Sequence, residues 1–140
     1  KGGQWEKALE LFYSMEDRGV QPDVITFNAA ISACEKAGQW EKAIELLNSM
    51  RGHKLLPDVI TFSAAISACG KGDQWEKALE LFNSMAGWGL RPDVITFNAT
   101  LSACAKGGQW EKALELFNSM ENHRVWPDVI TFNAAISACE

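Results

Sequence analysis

Residues 22–50 read PDVITFNAAISACEKAGQWEKAIELLNSM, and the same pattern returns at 57–85 and 92–120. Its second half stands alone at 4–15 and its first half at 127–140. Pro-Asp-Val-Ile-Thr-Phe begins at Pro22, Pro57, Pro92 and Pro127, and Gln-Trp-Glu-Lys-Ala begins at Gln4, Gln39, Gln74 and Gln109. Both series keep a period of 35 residues with no insertion or deletion. A period of that length marks stacked supersecondary units, each too small to bury its apolar face alone.

Two helices fit inside each unit. Phe27, Ala30, Ile31 and Cys34 fall at three- and four-residue steps, as do Trp40, Ala43, Ile44, Leu47 and Met50. Pro-Asp before the first set suits a helix start, and Gly38 after it suits a helix end. A variable turn follows the second set, at Arg51 to Leu56, Ala86 to Arg91 and Glu121 to Trp126. The expected fold is all-α, an α-solenoid of antiparallel helix-turn-helix hairpins. The expected organisation is one array over 1–140: a second helix in 1–23, full repeats at 24–58, 59–93 and 94–128, and a first helix in 129–140. Phe132, Ile136 and Cys139 would then expose an apolar face, which suggests a window of a longer array or ends that dock on something.

The aromatic residues read mainly as packing. Trp5, Trp40, Trp75 and Trp110 lie in the first turn of each second helix. Full burial of a Trp removes roughly 200 Å² from water, on the order of 5 kcal/mol gross at about 25 cal/mol per Å². Met15, Met50, Met85 and Met120 read as core, and Trp88 and Trp126, in the variable turns, as partly exposed.

Composition narrows the function classes. The 140 residues carry 13 basic and 18 acidic side chains, a net charge of −5, and 47% are hydrophobic. No run of about 18 apolar residues reads as a membrane-spanning helix. Residues 1–5 carry neither a basic-then-apolar signal nor a transit-peptide composition, so any targeting segment is expected to lie outside this sequence. Cys34, Cys69, Cys104 and Cys139 fall one per repeat, without a Cys-x-x-Cys or a nearby His pair. Reduced thiols and no metal site are the expectation. No Gly-rich phosphate loop, nucleophile elbow or deaminase signature is present, so neither catalysis nor a cofactor is expected. His53 and His123 read as turn residues and not as ligands.

Residues 24–38, VITFNAAISACEKAG, and 40–50, WEKAIELLNSM, resemble the pentatricopeptide repeat almost residue for residue, and each later copy does so in register. Tetratricopeptide repeats have 34 residues and an early Trp in their first helix, which this repeat lacks. The resemblance implies hairpins wound as a right-handed superhelix, and single-stranded RNA as partner, one base per repeat. It implies base-selecting pairs Asn28 with Asp58, Ser63 with Asp93, and Asn98 with Asp128, and hence a core of 5′-UGU-3′. Asn133 would prefer a pyrimidine next. Ile25, Ile60 and Ile95 match the residues that wedge against neighbouring bases, and Lys36, Lys71 and Lys106 match lysines that approach phosphates. Organellar RNA processing or translation, in mitochondrion or chloroplast, is the implied setting.

Two features pull the other way. Nucleic-acid-binding domains are more often basic, whereas here residues 24–58 are neutral and 59–93 and 94–128 each carry −1. Three complete pairs would engage few nucleotides, at roughly 1–3 kcal/mol of stacking per base. The alternative expectation is a protein-binding solenoid or structural subunit, with protein partners at the uncapped ends or outer face. The aspartates also read as helix caps, whatever else they do.

Overall fold

The computed structural model describes residues 2–140, which form eight α-helices. They are α1 (Gly2–Asp17), α2 (Val24–Lys36), α3 (Trp40–Ser49), α4 (Val59–Lys71), α5 (Trp75–Ser84), α6 (Val94–Lys106), α7 (Trp110–Ser119) and α8 (Val129–Ala138). A 3-10 turn continues two of the second helices, at Met50–His53 after α3 and Met85–Trp88 after α5. The helices are arranged as an α-solenoid. First helices α2, α4, α6 and α8 pack in series, and each second helix packs on the first helices on either side of it in sequence.

The local sequence explains each boundary. Asp23, Asp58, Asp93 and Asp128 are extended N-cap residues whose carboxylates accept the backbone N–H three residues on. The preceding Pro has no N–H to leave unpaired and pre-sets an extended approach. At the far end, Gly38 (φ +70) and Gly108 (φ +69) take the left-handed conformation that reverses the chain into the next helix. Asp73 holds the same conformation at φ +60 in the second repeat.

The core lies along the first-helix row. Phe27, Phe62 and Phe97 are all but fully buried, with Ile31, Ile66 and Leu101 one turn further on. Second-helix rings meet them edge-on: Phe12 with Phe27 and Phe82 with Phe97, each at 4.9 Å between centroids. Small residues bring the first helices close together. A Cβ on Gly70 would sit 3.2 Å from the Cβ of Ala103. Met50, Met85 and Met120 are buried, and Met15 is half-buried. Burial pushes the thiols of Cys69 and Cys104 up to about 11 and raises that of Cys34, which keeps all three protonated and poor nucleophiles at neutral pH.

The repeated tryptophans are less buried than their spacing suggests. Trp5, Trp40 and Trp75 are half-buried, and Trp110 is 51% exposed. Trp40 and Trp75 lie against the following repeat. A Cβ on Gly72 would fall 2.2 Å from Cδ1 of Trp40, and one on Gly107 would fall 2.4 Å from Cδ1 of Trp75. The indole therefore rests on the end of the next repeat's first helix, one face covered and one open. In the variable turns, Trp126 is exposed, while Trp88 is half-buried with the Arg51 guanidinium 5.2 Å above its ring.

This distribution predicts unequal costs for two aromatic truncations. Phe62→Ala lowers stability by about 3–5 kcal/mol, as for a buried core ring, and Trp110→Ala by no more than about 1 kcal/mol. Urea denaturation followed by circular dichroism separates them, and equal losses would refute the packing scheme.

Candidate nucleic-acid interface

The polar residues expected to select bases gather where one first helix meets the next. Asn28 stands one turn into α2, facing the start of α4. Its Nδ2 donates to Asp58 Oδ1 at 3.2 Å, and its Oδ1 accepts from the Thr61 hydroxyl at 2.6 Å. Thr61 has a single hydroxyl proton for two acceptors, because Asp58 Oδ1 is also 2.8 Å away. The Asp58 N–H in turn donates to Thr61 Oγ1 at 3.0 Å, closing a reciprocal cap. Asn98, Asp128 and Thr131 repeat the arrangement at the junction of α6 and α8, with the amide 3.1 Å from Asp128 Oδ1 and Thr131 Oγ1 2.6 Å from Asn98 Oδ1.

The middle junction is built differently. Ser63 makes no direct bond to Asp93; its Oγ lies 2.9 Å from Thr96 Oγ1. The Thr96 hydroxyl is 2.7 Å from Asp93 Oδ1. A serine oxygen sits one bond nearer its backbone than an asparagine amide, so the buried threonine spans the remaining gap. The four threonines were not singled out by sequence reasoning, although Asp-x-x-Thr at each helix start carried the signal. Thr61, Thr96 and Thr131 are fully buried.

The carboxylates feel these contacts. Hydrogen bonds from the Thr131 backbone and hydroxyl, then from Asn98, hold Asp128 below its ordinary pKa. Burial pushes Asp58 up, but the bonds from Thr61 and Asn28 together outweigh it and leave it lowered as well. Helix N-termini stabilise the same negative charge.

Around these junctions the other predicted residues fall into two rows. Ile25, Ile60 and Ile95 are 77%, 64% and 63% exposed, a line of apolar side chains left in solvent one helical turn before Asn28, Ser63 and Asn98. Asn133 is exposed on α8. Lys36, Lys71 and Lys106 end α2, α4 and α6 and are exposed. Lys71 pairs with Glu35 at 2.7 Å, and Lys106 lies 3.8 Å from Asp73, contacts the repeat pattern did not forecast. Among the described residues there is no cluster of His, Cys, Asp or Glu fit to hold a metal, and no helix long and apolar enough to cross a membrane.

A model of the PPR repeat family matches residues 1–36, 22–71, 57–106 and 92–140, which together run the length of the chain. The chain belongs to the PPR repeat family. Two pentatricopeptide repeat-containing proteins of Arabidopsis thaliana are similar over short stretches. One, named as chloroplastic, is 53% identical over 32 residues, 23% of this chain and 4% of that protein. The other is 49% identical over 37 residues, 26% of this chain and 7% of that protein. The chain thus spans less than a tenth of either relative.

Among solved PPR structures, PPR10 in complex with an 18-nt psaJ RNA element superposes with a TM-score of 0.87 at 32% identity, over 97% of this chain and 20% of that one. PPR10 from maize gives 0.79 at 30%, over 96% and 19%. The PPR domain of Arabidopsis thaliana protein-only RNase P 1, in complex with tRNA, gives 0.85 at 22%, over 97% and 72%, a likeness of fold.

The lowered carboxylates fix the direction of a pH effect. A group with a depressed folded pKa adds stability above its ordinary value, near 4, and loses that contribution as pH falls through the folded value. Stability should therefore hold down to about pH 4 and fall below it. Asp58→Asn should be less stable than the parent at pH 7 and show a shallower acid limb in pH-dependent thermal melts. Parallel limbs for the two proteins would remove Asp58 from this role.

Proposed function

We propose that the chain is a single-stranded RNA-reading segment that takes one base per repeat, with Asn28, Ser63 and Asn98 selecting a core of 5′-UGU-3′. The observation that carries this reading is the hydrogen bonding of Asn28 to Asp58 and of Asn98 to Asp128 across successive repeats. Each carboxylate can only accept, so it fixes the amide with Nδ2 towards itself. One amide N–H and a neighbouring oxygen lone pair are left for a ligand. That donor and acceptor side by side complement the N3–H and carbonyl edge of uracil.

Ser63 offers a different face. With the Thr96 proton on the Asp93 carboxylate, 2.7 Å away, Ser63 would donate to Thr96 and keep lone pairs for a ligand. An acceptor suits guanine, whose edge presents N1–H and the exocyclic amine. The exposed Ile25, Ile60 and Ile95 would lie between successive bases, and Lys36, Lys71 and Lys106 would lie on the phosphate side. The RNA complex of PPR10, at 32% identity and nearly full coverage of this chain, supports the same use of the surface. Organellar RNA processing or translation is the proposed setting, in keeping with a relative named as chloroplastic.

Titration of the chain with short RNAs bearing UGU, UAU or scrambled cores, at two salt concentrations, tests the reading. UGU should bind tightest, and Ser63→Asn should shift the middle preference from G towards U. Equal affinity for all three cores, varying only with salt, would eliminate base reading.

A further inference from the structure

Two acidic residues stand at positions that vary between repeats, and each meets a lysine of the phosphate-side row. Glu35 stands where the next two repeats have Gly70 and Ala105, and the last copy has Glu140. Its carboxylate receives Lys71 Nζ at 2.7 Å and Ser67 Oγ at 2.8 Å, both from the following repeat, and only 18% of its side chain is exposed. Asp73 stands where the flanking repeats have Gly38 and Gly108. It keeps the left-handed backbone that glycine adopts more readily, and Lys106 Nζ lies 3.8 Å from its Oδ1. No ion pair to Lys36 is present among the described residues.

We propose that Glu35 and Asp73 set the affinity of the groove for RNA by occupying Lys71 and Lys106, so that the segment reads bases with little help from phosphate attraction. The inference rests on the RNA-binding reading above. Neutralising a phosphate with a free lysine releases a condensed counterion, and this release is the main source of salt-dependent affinity. Lys71 must first leave a charge-assisted hydrogen bond and Lys106 a longer ion pair, and the carboxylate left behind then faces the phosphate. The Glu35 pair is short and shielded, so it should withhold its lysine more completely than the longer, open Asp73 pair. Glu35 and Asp73 are positioning residues: they act through the lysines and need touch no nucleotide.

The test is fluorescence anisotropy of the whole chain with a labelled short UGU RNA, from about 50 to about 300 mM KCl. Glu35→Gln should bind several-fold tighter at the lowest salt, with a log–log salt slope steeper by about 0.7 for one added phosphate contact to a single strand. Asp73→Gly, which restores the residue found at positions 38 and 108, should act in the same direction and less strongly. Lys71→Gln should weaken binding less in the parent than in the Glu35→Gln background, where it reverses the gain. Unchanged or weaker binding by a Glu35→Gln protein that circular dichroism shows to be folded overturns the proposal. So does an equal effect of Lys71→Gln in both backgrounds. If neither the parent nor any variant binds UGU or scrambled RNA at the lowest salt, the RNA reading fails and takes this inference with it.

Discussion

Two junctions in the array turn on one carboxylate that bonds both repeats directly, and the third reaches across through Thr96. Asp58 Oδ1 accepts the Thr61 backbone N–H, lies within hydrogen-bond reach of the Thr61 hydroxyl, and accepts the Asn28 amide of the repeat before. The first two contacts begin a helix, and the third orients a side chain on its neighbour. Folding and site-building are therefore the same event at this atom. The arrangement also explains why the 35-residue period tolerates no insertion. One extra residue within a helix turns its later side chains by about 100°, which would carry the amide away from the carboxylate while leaving hairpin composition untouched.

The hairpins could be read from the sequence because their signals are local. Apolar residues at helical spacing, Pro-Asp ahead of the first helix and Gly38 behind it each act within a turn or two, and the helices begin and end where those residues predict. The expected exposure of Phe132, Ile136 and Cys139 is also found. The tryptophans show where local signals stop. Trp40 shares the helical spacing of buried residues, yet its depth depends on the room left by Gly72, 32 residues further on. The first-turn position was legible, and the half-open packing against the next repeat was not.

The site divides along the same line. Asparagine and aspartate 30 residues apart could be paired only through the family resemblance, since nothing local says that Asn28 and Asp58 meet. The structure joins them directly, joins Asn98 to Asp128 likewise, and leaves Ser63 connected to Asp93 only through Thr96. That difference follows from side-chain length, and it could be seen only once the separation of the two helices was known. The threonines were hidden for another reason. As third residues of capped helices they already had a sufficient explanation, which concealed their second role between repeats.

What repeats and what does not repeat carry different physics. Residues present in every copy, such as Asp58 and Thr61, build the junction, and the variable choice between Asn and Ser decides which hydrogen-bonding groups face outward. Glu35 and Asp73 belong to neither set. Glu35 shares its position with Gly70, Ala105 and Glu140, and Asp73 stands alone among glycines; their carboxylates alter the field around a neighbouring lysine without touching the Asn28, Ser63 and Asn98 row. The open Asp73 pair is worth little to stability, whereas the Glu35 pair is shorter, more shielded and braced by Ser67. Both pairs also shape the field around the lysines, which at physiological salt reaches only about 8 Å. The net charge of −5 is thus a poor guide to this groove. What matters is that, in two of the three full repeats, the lysine ending the first helix already faces a carboxylate.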